Sequence, residues 1–131
     1  ISFRKIPDEK GDSCTFLSWF LPTAEATKAV VASMKEKGVL AGNFYWFDNN
    51  WHYIRKWEHL KNAVTLNALH PEHKAAVMHH ANKDFSVSDA IMSRCVSTAI
   101  GLLWTPEQVQ AKGSQLLDII KEVMDKQAAS V

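Results

Sequence analysis

Thr105-Pro106-Glu107-Gln108 is the stretch that most limits what this chain can become. A threonine at the N-cap, proline at the first helical position and glutamine three residues past the threonine are three helix-start signals in agreement. Behind them Val109, Leu116, Leu117, Ile120, Val123 and Met124 recur at helical spacing and give the last helix one apolar stripe. Such a helix needs a second layer to cover that stripe. Gly113 sits mid-helix at a cost of ~1 kcal/mol relative to alanine, which marks a place for close packing.

The rest of the chain supplies the second layer. After the turn cluster Lys10-Gly11-Asp12-Ser13, residues 14–21 (CTFLSWFL) are rich in aromatic and branched side chains and read as a buried strand. Pro22 ends it, and Thr23 is an N-cap for a helix whose Ala26, Val30 and Met34 share a face. Gly38 closes that helix in the left-handed conformation. Residues 39–44 make a shorter strand, and residues 90–100 (AIMSRCVSTAI) a third. The expected fold is α+β, two layers, with a small mixed or antiparallel sheet. The helices starting at Thr23 and Thr105 pack on the same sheet face. Between the second and third strands runs a long excursion, with short helices expected over residues 52–61 and 71–81. Long connections in compact domains tend to be functional.

Composition narrows the function classes. With 131 residues, 47% apolar and 22% charged, the chain is one domain's length and ordinary for a globular protein. A formal charge of +1 with mixed signs argues against a nucleic-acid footprint. Its longest apolar run, residues 16–21, is far below the ~20 residues that span a membrane. Cys14 and Cys95 lie in apolar runs and read as small buried thiols in a reducing, cytoplasmic setting. His70 and His73 share a helix face and His79-His80 follow, yet no recognised zinc pattern surrounds them. Solvated helix histidines are the expectation. No nucleophile elbow or glycine-rich phosphate loop is present.

The remaining feature is the segment NFYWFDNNWHYIRKW, residues 43–57. Its rings alternate with Asn, Asp and His. That mixture suits a polyhydroxylated ligand, whose C–H faces meet rings while amides and imidazole bond its hydroxyls. It equally suits an interface between domains or subunits. In either case the rings are expected against something other than this chain's own core.

The order of elements resembles a known family. GDSCTFLSWFLPTAEATKAVVASMKEKGV is similar to the opening of the C-terminal small domain of the DegT/DnrJ/EryC1/StrS family of sugar aminotransferases. SDAIMSRCVSTAIGLLWTPEQVQAKGSQLLDIIKEVM is similar to its closing strand and helix, and the match covers nearly the whole chain. DNNWHYIRKWEHLKN most resembles a branch that aminates an eight-carbon keto-sugar acid, 8-oxo-3,8-dideoxyoctulosonate, for lipopolysaccharide synthesis.

This resemblance implies a longer parent in which residues 1–131 form the small domain, an expectation that fits a chain starting at Ile1. The parent would be a cytoplasmic homodimer dependent on pyridoxal 5'-phosphate. Cofactor and Schiff-base lysine would belong to the N-terminal domain, so no lysine here is catalytic. Glutamate would be the amino donor and the keto-sugar the acceptor. The substrate-binding residues implied are Asn50, Trp51, His52, Tyr53, Arg55 and Arg94. His52 would face the sugar, although Asn49, Asn50 and Ile54 stand where the family carries prolines. Arg55 or Arg94 would pair with a substrate carboxylate, and Arg94 equally suits a structural ion pair. Another class of reading is a free-standing module that grips a carbohydrate or partner without catalysis.

Overall fold

The computed structural model of the chain describes residues 1–39, 43–48 and 52–129. Four strands, β1 (Ser2–Phe3), β2 (Phe16–Phe20), β3 (Asn43–Tyr45) and β4 (Cys95–Ala99), form one antiparallel sheet in the order β1-β2-β4-β3. Helices α1 (Ala24–Glu36) and α5 (Pro106–Ala128) pack on one another and on the same sheet face. The domain is therefore a two-layer α+β fold. Between β3 and β4 lie 3-10 turns at Trp46–Asp48 and Ile54–Lys56, then helices α2 (Glu58–Lys61), α3 (Pro71–Ala81) and α4 (Ser86–Met92).

Alternation along the strands sets the core. Trp19 and Leu21 at the end of β2, Val96 on β4 and Tyr45 on β3 point toward the helices. They meet Ala26, Val30 and Met34 of α1 and Leu116, Ile119, Ile120 and Val123 of α5. Trp19 is fully buried, and covering so large a ring contributes on the order of 4–6 kcal/mol by area. Its indole N–H is satisfied at 3.0 Å by Thr98 Oγ1, which in turn donates to Asn43 Oδ1 at 2.7 Å. The register that pairs Leu17 with Thr98 and Thr98 with Asn43 makes this polar chain possible.

Both helix starts carry the caps read in the sequence. Thr23 Oγ1 accepts from the Ala26 N–H. At α5 the Gln108 N–H donates to Thr105 Oγ1 at 3.3 Å while Gln108 Oε1 accepts the Thr105 N–H at 3.0 Å. Gly38 takes φ 64 after α1. Within the stripe expected for α5, Val109 and Leu117 are exposed, and Ile119 takes a core position instead. A Cβ at Gly113 would meet nothing within 4 Å, so packing inside this chain does not require glycine there.

Several elements differ from expectation. Cys14 is exposed, at φ 52, and belongs to the turn before β2: its N–H is held by Asp12 Oδ1 at 2.7 Å. Cys95 is the buried thiol, and burial pushes it above the usual thiol range. The shorter strand starts at Asn43, and residues 40–42 lie outside the described residues. The third strand loses its first five residues. Asp84 captures the Ser86 N–H at 2.8 Å and starts α4, which takes Ala90, Ile91 and Met92 into a helix. The segment 52–61 is split at Trp57 (φ -90, ψ 78) into a 3-10 turn and the single-turn α2. β1 is an added edge strand, paired through Ser2 with Phe20 and Phe3 with Trp19.

Candidate ligand-binding face

The face turned away from α1 and α5 is built from the other half of the same alternation. Pairing places Ser18 beside Ser97 and Ser97 beside Phe44, so these three residues share it. Phe16, two residues before Ser18, joins them, and so does Trp46 in the turn after β3. Together with His52 they line a cavity of about 640 Å³. Phe44 and Trp46 stack with ring centroids 6.0 Å apart, and the His52 ring meets Trp46 edge-on at 5.3 Å. The floor is polar: Trp46 Nε1 donates to Ser97 Oγ at 2.7 Å, and Ser97 Oγ lies 2.6 Å from Ser18 Oγ.

Charge on this wall is balanced. Arg4 Nη2 pairs with Asp12 Oδ2 at 2.8 Å, and both residues line the cavity. The Cys14 N–H and Arg4 together hold the Asp12 carboxyl below the usual range, against the opposing effect of burial. A ring-lined cavity with hydroxyls and a neutralised ion pair suits an oxygen-rich ring better than a cation.

The residues named from the sequence fall in different places. His52 lines the cavity. Asn50 and Trp51 lie outside the described residues. Tyr53 is buried, and its hydroxyl donates to Asp89 of α4. Arg55 grips the same carboxylate as a fork, Nε to Oδ1 at 2.8 Å and Nη2 to Oδ2 at 2.6 Å, with its guanidinium 5.4 Å from the Phe85 ring. Burial pushes the Asp89 carboxyl up, but the Tyr53 hydroxyl and Arg55 outweigh it and hold it below the usual range. Arg94 Nε donates to the Ala90 carbonyl at 2.9 Å and closes α4. Tyr53, Arg55 and Arg94 are thus engaged within the chain and do not line the cavity.

The aromatic segment is also better anchored than its composition suggests. Tyr45 is buried, with its hydroxyl donating to the Ser93 carbonyl at 2.8 Å. Burial, with Asp48 and Glu25 nearby, pushes the Tyr45 phenol to about 12. Trp46, Phe47 and Trp57 are half-buried and Phe44 is exposed. The expectation of rings held off this chain's own core therefore fails for Phe47, which packs against it, and for the two buried tyrosines, each of which has a hydroxyl partner supplied by the segment around α4.

Ser18, Ser97, Phe16, Arg4 and Asp12 were not singled out by the sequence as site residues. A signal existed: Ser18 interrupts an apolar run and Ser97 sits in a polar cluster, each on a strand. Their meeting depends on a register between residues 79 apart.

Among the described residues no lysine is placed to hold pyridoxal phosphate. Every described lysine is exposed or half-buried, and none lines the 640 Å³ cavity. A Schiff-base lysine needs a pocket that desolvates it, so the residues present do not fit that group. Among the described residues no three His, Cys, Asp or Glu side chains converge as metal ligands. No described helix is long and apolar enough to cross a membrane. Tested against models of known protein families, the chain matches none.

Proposed function

We propose that this chain is the sugar-facing small domain of a pyridoxal-phosphate-dependent sugar aminotransferase. The parent would work as a cytoplasmic homodimer that moves an amino group, from glutamate, to a keto-sugar for surface polysaccharide or lipopolysaccharide synthesis. The observation that carries the reading is the cavity on the uncovered sheet face. There the Phe44–Trp46 stack, two linked serines and His52 offer ring faces and hydrogen bonds together. An eight-carbon keto-sugar acid presents matching C–H faces and hydroxyls. The amino-group transfer would be the work of pyridoxal phosphate held by another domain of the parent. The residues here bind the sugar, orient it and exclude water.

The test uses the intact parent. His52→Ala should lower kcat/KM for the keto-sugar by roughly threefold to a hundredfold, the range expected for losing one hydrogen bond or leaving its partner unsatisfied. The half-reaction with the amino donor should be unchanged in single-turnover kinetics. Equal losses in both halves, or an intact parent without transaminase activity, would reject the proposal. A second reading is a carbohydrate-binding module without catalysis, resting on the same pairing of stacked rings and linked serines in the cavity. It predicts sugar binding and no cofactor-dependent activity in the native protein.

A further inference from the structure

The serine pair on the cavity floor can be assigned a hydrogen-bond direction. Ser97 is 1% exposed, and among the described residues its hydroxyl oxygen lies within reach of two groups, Trp46 Nε1 and Ser18 Oγ. An indole N–H can only donate, so Trp46 fixes Ser97 Oγ as an acceptor on that side. The Ser97 hydrogen must then find an acceptor, because a buried hydroxyl hydrogen left without one costs more than the bond returns. Ser18 Oγ, at 2.6 Å, is the acceptor in place. The sequence of donors is therefore Trp46 to Ser97 to Ser18. Ser18 is half-buried and lines the cavity, and its own hydrogen is left to point into that space.

We infer that Ser18 presents a fixed hydrogen-bond donor to the cavity. The face then selects ligands that place an acceptor oxygen, a carbonyl or ring or hydroxyl oxygen, at Ser18 in the cavity that Phe16 and Phe44 also line. Trp46 and Ser97 are positioning residues that hold the donor's direction. The inference rests on the cavity being the ligand site proposed above. It goes further by naming the polarity of the group recognised. Aligned chains of hydrogen bonds strengthen one another, so the outer donor gains from the two behind it.

Two small neutral ring probes test the direction. Cyclohexanone can only accept and pyrrole can only donate. Binding of each to the full chain is followed by ligand-observed NMR, in the wild type, in Ser18→Ala and in Ser18→Thr, which restores a hydroxyl. Ser18→Ala should weaken cyclohexanone by roughly threefold to tenfold, the value of one neutral hydrogen bond, and leave pyrrole unchanged. Ser18→Thr should recover cyclohexanone binding. A merely structural role for Ser18 would weaken both probes alike and would overturn the assignment. So would loss of pyrrole alone, no change with either probe, or no binding of cyclohexanone to the wild type. The result is independent of transamination by the parent. Donor selectivity without aminotransferase activity would retire the enzyme proposal and keep this one.

Discussion

Asp89→Ala tests how the aromatic segment is tied to the sheet domain. One carboxylate on α4 takes the Tyr53 hydroxyl and both arms of Arg55. The two kinds of contact differ in worth. The Arg55 side chain is 37% exposed and the Asp89 side chain 29%, so solvent screens the ion pair and ~0.5–1 kcal/mol is a fair value. Tyr53 is 6% exposed, and stranding its hydroxyl costs a further ~1–3 kcal/mol. Asp89→Ala should therefore lower stability by ~2–4 kcal/mol, or roughly 6–15 °C in Tm for a chain of this size. Tyr53→Phe keeps the Arg55 pair and should cost only ~1 kcal/mol. In the Tyr53→Phe background, Asp89→Ala should then cost ~1 kcal/mol, because no hydroxyl is left stranded. Urea titrations of the four proteins measure this cycle. Asp89→Ala as stable as wild type, or costs that simply add, would refute the anchoring role.

Three further outcomes follow from the same structure. Glu122 is held down to about 2, chiefly by Lys126 and also by Lys37. Its folded value lies below the ordinary 4.5, so its stabilisation is full above that value and lost as pH falls toward 2. Urea midpoints between pH 5 and pH 2.5 should drop less in Glu122→Gln than in wild type, and equal drops would deny the effect. Gly113→Ala should stabilise by ~0.5–1 kcal/mol, since the position is helical and open, and a loss would show that glycine is needed there. A thiol reagent should modify Cys14 at once and Cys95 only after denaturation; two fast thiols in the native protein would contradict the burial of Cys95.

Local chemistry made much of the fold legible. The caps at Thr23 and Thr105 and the proline at Pro71 each act within one helical turn, and the helices start where those residues stand. The start of β4 was not legible, because Ala90, Ile91 and Met92 suit a strand by composition. Asp84 and Ser86, just upstream, decide for helix. Cys14 opens the run CTFLSWFL, yet Asp12 draws its N–H into a turn. At the candidate site Phe44, Trp46 and His52 all belong to the aromatic segment read from the sequence, and of the six implied substrate-binding residues His52 lines the cavity. Ser18 and Ser97 meet through strand register, and Tyr53 and Arg55 find Asp89 across more than thirty residues. Such pairings depend on tertiary contact, and no local spacing encodes them.

The central claim is that the uncovered sheet face receives the sugar. A ¹H–¹⁵N NMR titration of the chain with the eight-carbon keto-sugar acid tests it most directly. The Trp46 indole N–H and the amides of Ser18, Phe44, His52 and Ser97 should shift together along one saturable curve, while α3 stays still. Shifts centred on Tyr53, Arg55 and Arg94, with Ser18 and Trp46 unmoved, would contradict the claim.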